Sequence, residues 1–258
     1  MNLFSYLADT QNWAGADGIT ARIGQHLAYT GLSLLLAAVI AIALGVAIGH
    51  FRVGQFLVVG VSNAGRAIPT LGLLVLVVTL MGSGVTPVLF ALTVLAIPPI
   101  LNATATGIAE ADPGAVQASR AMGMTSWQVI TQVELPLAFP LIVSGLRNAS
   151  LQVVSTATVA ALAAAGGLGR LVVDGQRLGE DGYPQMFAGA VLVAVIAVTI
   201  DILLGLLAFG LRRRRSRTNR AETARTIDDG RAPTTEISRA RRAESHSAED
   251  HSAESRST

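Results

Sequence analysis

The chain has 258 residues, 51% of them hydrophobic and 14% charged, with a mean hydropathy of +0.53 and a formal net charge of +2. A soluble domain carries about a quarter charged residues, so this composition excludes an ordinary soluble globular protein and points to an all-α membrane protein. Cysteine is absent, which excludes disulfides, thiolate catalysis and Cys-ligated metal sites.

The N-terminal stretch carries Asp9 and Asp17 and no basic cluster, so it does not read as a cleaved signal peptide. A helix needs roughly 20 apolar residues to cross the hydrocarbon core, and five segments qualify. Leu27 to Gly49 is the first and carries no charge. The second runs from about Phe56 to Met81 and contains Arg66. The third is about Pro87 to Ile108, the fourth about Leu137 to Ala164 with Arg147, and the fifth about Met186 to Gly210 with Asp201. Three regions follow: an extracytoplasmic segment 1–24, a membrane domain 25–211 and a tail 212–258.

Arg212 to Arg215, with Arg217 and Arg220, directly follow the fifth span. Cytoplasmic ends collect positive charge, which orients the C-terminus inward and, with five spans, the N-terminus outward. The turn with His50 and Arg52 and the loop 110–136 then lie inside, while Gly82-Ser83-Gly84 and the segment 166–185 lie outside. The tail is rich in Ala, Glu, Ser, Thr and Arg and ends in a pentad repeat beginning at Ala243, Ala248 and Ala253. It has too few apolar residues to pack, which predicts disorder. The pI near 9.6 comes mostly from this tail and implies no nucleic acid.

The loop 110–136 is dense in helix punctuation. Asp112-Pro113 reads as an N-cap followed by proline at the first helical position. A helix can run from Pro113 to Met122, and Gly123 suits the left-handed residue that ends it. Thr125 with Gln128 forms a capping box, and Met124 with Val129 occupies the staple positions. Leu135-Pro136 closes the unit. These signals predict a rigid helix-turn-helix, the kind of element that transmits displacement from a soluble partner.

The spacing Gln117-Ala118-Ser119, three residues, Gly123, nine residues, Val133-Glu134-Leu135-Pro136 resembles the "EAA" loop of ABC importer permeases. In that family the loop forms a coupling helix that docks on the ATPase. Gln117 stands where the family has glutamate and Ser119 where it has alanine. Gln117 keeps the shape and hydrogen bonding without the charge. Five spans with the loop between the third and fourth resemble the small type I, MetI-like permease fold.

Further stretches resemble the osmoprotectant branch. They are Arg66-Ala-Ile-Pro69-Thr70-Leu-Gly-Leu-Leu, Ser155-Thr156-Ala-Thr158 through Gly166-Gly167-Leu168-Gly169, and Met122-Gly-Met-Thr125-x-Trp127-Gln128. The resemblance covers about residues 25–210 and implies an importer subunit for glycine betaine, carnitine, choline or related amines. It further implies an ABC ATPase, a second permease subunit (identical or different), an extracytoplasmic binding protein and the lipid of a bacterial plasma membrane as partners. An amino-acid or methionine importer is the alternative within the family.

Within the spans, Pro69 breaks an i to i−4 bond and frees a carbonyl, and the glycines of 166–169 allow close backbone approach. Each feature also serves plain helix packing. Arg66, Arg147 and Asp201 fall near mid-membrane, where charges must face the bundle or water. Asp201 can pair with Arg147 or Arg66, or an arginine can contact a substrate carboxylate. Asn148, Gln152 and Thr156 share one helical stripe, which suits either a translocation path or interhelical hydrogen bonds.

No lysine exists for a phosphate-cradling Gly-x4-Gly-Lys-Ser/Thr loop, so ATP is expected to be hydrolysed by a partner. No catalytic residue, cofactor or metal site is expected. An ion-coupled secondary transporter would show an internal repeat and an acidic residue poised at midplane. Asp201 alone fits that description, and no repeat relates the halves.

Overall fold

A computed structural model describes residues 3–228 apart from 55, 57, 59, 61, 63, 64, 66, 68, 164 and 165. The chain divides into two units, Met1–Ala208 and Phe209–Thr258. In chain order the α-helices are α1 (Leu3–Ala8), α2 (Ile19–Phe51), α3 (Thr70–Met81), α4 (Val85–Ala109), α5 (Pro113–Ala121), α6 (Ser126–Val129), α7 (Leu135–Val159), α8 (Gly169–Arg177) and α9 (Tyr183–Asp228). A π-helical turn, Ile130–Glu134, joins α6 to α7 without a break. No strand is assigned among the described residues.

Among the described residues, four helical stretches are long and apolar enough to cross a membrane: Ile19–Phe51, Val85–Ala109, Ser126–Leu162 and Gly179–Ala208. The second expected span differs. Pro69 is extended (φ −62, ψ 118) and caps α3, so only 12 residues follow it as one helix. At about 1.5 Å rise per residue, α3 alone falls short of the hydrocarbon thickness. Proline at 69 has no N–H for the ladder and disfavours helical geometry in the residue before it. The first, fourth and fifth expected spans start several residues earlier, because polar first turns add length that a hydropathy window misses, and the third keeps its bounds to within two residues.

The core lies where α2, α4 and α7 meet. One stripe of α2 is small: Thr30, Ser33, Ala37, Ala41, Gly45 and Gly49 are buried at three- and four-residue spacing. A Cβ on Gly45 would lie 2.7 Å from Thr104 Cβ, and one on Gly49 would lie 2.7 Å from Ile108 Cβ. Backbone proximity of this kind drives helix association where lipid removes the hydrophobic incentive. The opposite face of α2, with Leu35 61% and Val39 64% exposed, is apolar and has no partner among the described residues, as a lipid-facing surface must be.

Helix α4 is the centre of the bundle. Val88, Ala91, Leu92, Ala96 and Ile100 are fully buried against Ala37, Ala41, Ala149 and Val153. A smaller cluster of Ile19, Leu168 and Leu171 joins Tyr6 and Leu7 of α1 to Leu192 and Ile196 of α9. Near it, Gln25 Oε1 accepts a 2.9 Å hydrogen bond from Gly167 N. Gly167 needs its φ of +86 to make that turn over His26, and a Cβ on Gly169 would collide with the Thr158 carbonyl oxygen. The expected close backbone approach at 166–169 is therefore present. Gly82 (φ +85) and Gly84 (φ +143) form the turn between α3 and α4.

Helix α9 continues through Arg212–Arg215 to Asp228, consistent with the helix propensity of Arg and Ala. The tail expected to be disordered lies, from 229 onward, outside the described residues.

Candidate functional site: a capped loop and a polar groove

The loop folds as its punctuation requires. Asp112 Oδ1 accepts a 3.0 Å hydrogen bond from Gly114 N, and Pro113 occupies the first turn of α5. The helix ends in a Schellman motif: Gly123 N donates to Arg120 O at 3.0 Å and Met124 N to Ser119 O at 3.2 Å. Gly123 takes φ +85, which its missing Cβ permits. Thr125 N donates to Gln128 Oε1 at 2.8 Å, completing the capping box that starts α6. Two short helices are thus locked end to end by hydrogen-bonded caps on both sides of the turn.

Burial sorts the loop residues into two sets. Gln117, Ala118, Met122 and Trp127 are exposed, the last two at 76% and 72%. Ser119, Val129 and Glu134 are buried, and Ser119 Oγ donates 2.7 Å to Ala115 O. Leu135 and Pro136 are half-buried, and Leu135 packs on Ile108, Ala138 and Ile142. Glu134, expected with the docking residues, instead turns inward. Its Oε2 lies 2.7 Å from His50 Nδ1 at the last turn of α2, with side-chain exposures of 6% and 3%. The reason is the π-helical turn, which rotates residue 134 toward α2 before α7 begins. The sequence showed His50 in the right turn but gave no sign of its partner.

Arg147 and Asp201 pair across α7 and α9. Nε donates to Oδ1 at 2.9 Å and Nη2 to Oδ2 at 2.7 Å, a bidentate fork. The guanidinium rests on Gly205, where a Cβ would be 3.5 Å from Cζ. Of the two partners open to Asp201, Arg147 takes both carboxylate oxygens. Arg66 lies outside the described residues. Pro69 is exposed and Thr70 half-buried at the start of α3.

Asn148 and Gln152 line a cavity of about 200 Å³ with Ser62, Gly65, Leu95, Pro98, Pro99 and Asn102. A second cavity of about 220 Å³ shares Pro99, Asn102 and Asn148 and adds Thr106, Ser144 and Gly145. Thr156 lines neither and is buried. Eight residues at about 100° each leave it roughly 80° around the helix from Asn148, enough to turn it into the core. Asn102 was not singled out from the sequence, although the Pro98-Pro99 pair one turn before it marks an irregular stretch in an otherwise apolar span.

Residues 27–213 match the family described as the inner membrane component of binding-protein-dependent transport systems. The chain belongs to this family. The carnitine transport permease protein OpuCD of Listeria monocytogenes is 36% identical over 181 residues, covering 70% of this chain and 81% of that protein. The glycine betaine/carnitine/choline transport system permease protein OpuCB of Bacillus subtilis is 33% identical, covering 71% and 83%. The MetNI methionine ABC transporter in an inward-facing conformation superposes with a TM-score of 0.65 at 26% identity, covering 75% of this chain and 95% of that one. The protein is therefore a multi-pass membrane permease subunit of an ABC transporter with a MetI-like fold. In this permease the loop 110–136 and the α4–α7 groove are separate features: the first is an exposed, rigid projection, the second a polar recess among apolar helices.

Proposed function

We propose that this permease is the membrane-spanning subunit of an ATP-driven importer for osmoprotectants such as glycine betaine, carnitine or choline. The observation that carries the transport mechanism is the capped loop. Its exposed residues Gln117, Ala118, Met122 and Trp127 sit on a scaffold anchored by buried Ser119, Val129 and Glu134. Such a projection can be pushed as a unit by an ABC ATPase and passes the displacement straight into α7, because α6, the π-helical turn and α7 are continuous. Gly123, Leu135 and Pro136 shape this lever, and Gln117 and Ala118 present its contact face.

The arginine run at 212–215 supports a cytoplasmic C-terminus in a bacterial plasma membrane, which puts the loop on the ATPase side. The N-terminus and the 166–185 segment then face an extracytoplasmic binding protein. A second permease subunit, the same or different, completes the pore. The permease itself hydrolyses nothing. The solute class rests on the kinship with carnitine and glycine betaine/carnitine/choline permeases.

Uptake of labelled glycine betaine by a strain lacking this permease, with and without complementation, tests the solute; equal uptake in both would reject it. Cross-linking Ala118→Cys to the co-expressed ATPase tests the docking face. Absence of a cross-link, with one forming at Gly84→Cys, would reject the orientation.

A further inference from the structure

We propose that the groove between α4 and α7 is a substrate station inside the permease, selective for small zwitterions that join a quaternary ammonium to a carboxylate. It rests on the osmoprotectant reading above and names where, and by what chemistry, this chain itself meets the solute.

The two cavities share Pro99, Asn102 and Asn148, so they form one track along facing sides of α4 and α7. Each is smaller than the about 300 Å³ at which pockets for drug-sized ligands begin, a size suited to a small solute. Three carboxamides line the track, from Asn102, Asn148 and Gln152, along with the hydroxyls of Ser62, Thr106 and Ser144. No charged and no aromatic side chain occurs among its described lining residues.

Two independent features show that this polarity is not used up by the protein. Ser62 Oγ is buried on the first cavity and has no hydrogen-bond partner among the described residues, a rare condition for a buried hydroxyl. Pro98 and Pro99 have no N–H to offer the carbonyls of Val94 and Leu95 one turn earlier, and Leu95 lines the same cavity. At membrane depth such backbone is tolerated where it faces protein or a water-filled path. Gly65 closes the site: a Cβ there would lie 2.6 Å from Pro98 Cγ, so only glycine lets the second span approach.

The chemistry suits a dipolar solute. Carboxamide N–H groups and hydroxyls donate to a carboxylate. Carboxamide and backbone oxygens accept the polarised C–H groups of a trimethylammonium. A bare cation finds neither a counter-charge nor an aromatic face in the described lining. Neutral partners also hold the solute weakly enough to release it, as passage through a pore demands.

The test uses the complete transporter, with its ATPase, binding protein and partner permease, in proteoliposomes, and reads uptake of labelled glycine betaine and choline. Asn102→Leu and Asn148→Leu are expected to lower glycine betaine uptake about tenfold, with ATP hydrolysis stimulated by loaded binding protein kept within about twofold. Asn148→Gln retains the carboxamide and is expected to keep most of the uptake. Asn148→Asp adds a counter-charge and is expected to raise the ratio of choline to glycine betaine uptake about fivefold. Unchanged uptake in the leucine variants, or an unchanged ratio in Asn148→Asp, overturns the proposal. Where a leucine variant fails to assemble, the Asn148→Asp ratio per assembled transporter decides alone. Wild-type transporter carrying neither solute would defeat the osmoprotectant reading itself; wild-type uptake with indifferent variants would defeat only the station.

Discussion

His50 at the end of α2 and Glu134 at the end of the capped loop are joined by a buried 2.7 Å contact. This ties the loop to the first span as well as to α7, so the loop cannot move without carrying two helices or breaking the pair. A buried polar group left without its partner costs about 1–3 kcal/mol. Glu134→Ala is therefore expected to lower the thermal midpoint of the detergent-solubilised permease, and Glu134→Gln, which keeps an acceptor, to lower it less. The double variant His50→Leu/Glu134→Leu is expected to recover part of the loss, since neither partner is then stranded. Strictly additive effects would show that the two side chains do not act together.

The Schellman turn makes a sharp prediction at Gly123. Its φ of +85 is unfavourable for other residues, yet nothing lies within 4 Å of where a Cβ would go. The penalty is then one of backbone conformation, about 1–2 kcal/mol for alanine. Gly123→Asn is expected to be milder than Gly123→Ala, and Gly123→Val worse than both, in transport and in co-purification of the ATPase. A ranking by side-chain volume alone, with Gly123→Asn worse than Gly123→Ala, would contradict this.

Arg147 and Asp201 make a fork that neither substitution alone preserves. Asp201→Asn is expected to lower the amount of assembled permease, and the exchange Arg147→Asp/Asp201→Arg to restore part of it. The measurement is the assembled fraction by size-exclusion chromatography, alongside uptake. Normal assembly with lost uptake would mean that the pair serves the solute and not the bundle.

Glycines offer an internal contrast. A Cβ on Gly169 would strike the Thr158 carbonyl oxygen, whereas Gly24 on α2 has open space around it. Gly169→Ala is expected to destabilise by about 1–3 kcal/mol through overpacking against rigid backbone. Gly24→Ala is expected to be neutral or to gain about 0.5–1 kcal/mol in helix propensity. Thermal unfolding of the two variants side by side checks this, and equal shifts would refute the packing argument.

The loop was legible because its determinants are local. Asp112, Gly123, Thr125 and Gln128 each act on backbone within a few residues, so capping and turn chemistry alone predicted their geometry. The Arg147–Asp201 pair was half legible: lone charges at membrane depth need partners, but which arginine answers Asp201 depends on how α7 faces α9. The His50–Glu134 contact was illegible, since it spans 84 residues and depends on a π-helical turn that no residue type announces. Thr156 shows a related limit: a stripe defined over eight residues drifts around the helix, and only packing shows that Asn148 and Gln152 face the groove while Thr156 faces the core.

By itself, the sequence determined that the chain is an all-α membrane protein with a rigid, capped loop between its third and fourth apolar segments. Hydropathy, proline and glycine placement and capping are properties of neighbours in the chain, and they survive without knowledge of the fold. The tertiary structure alone decided that Glu134 turns inward to His50, that Arg147 answers Asp201, and that Asn102 joins Asn148 and Gln152 around one recess. These are contacts between helices, set by how the helices pack, as where Gly45, Gly49 and Gly65 let backbones approach α4 closely, and no local signal carries that distance.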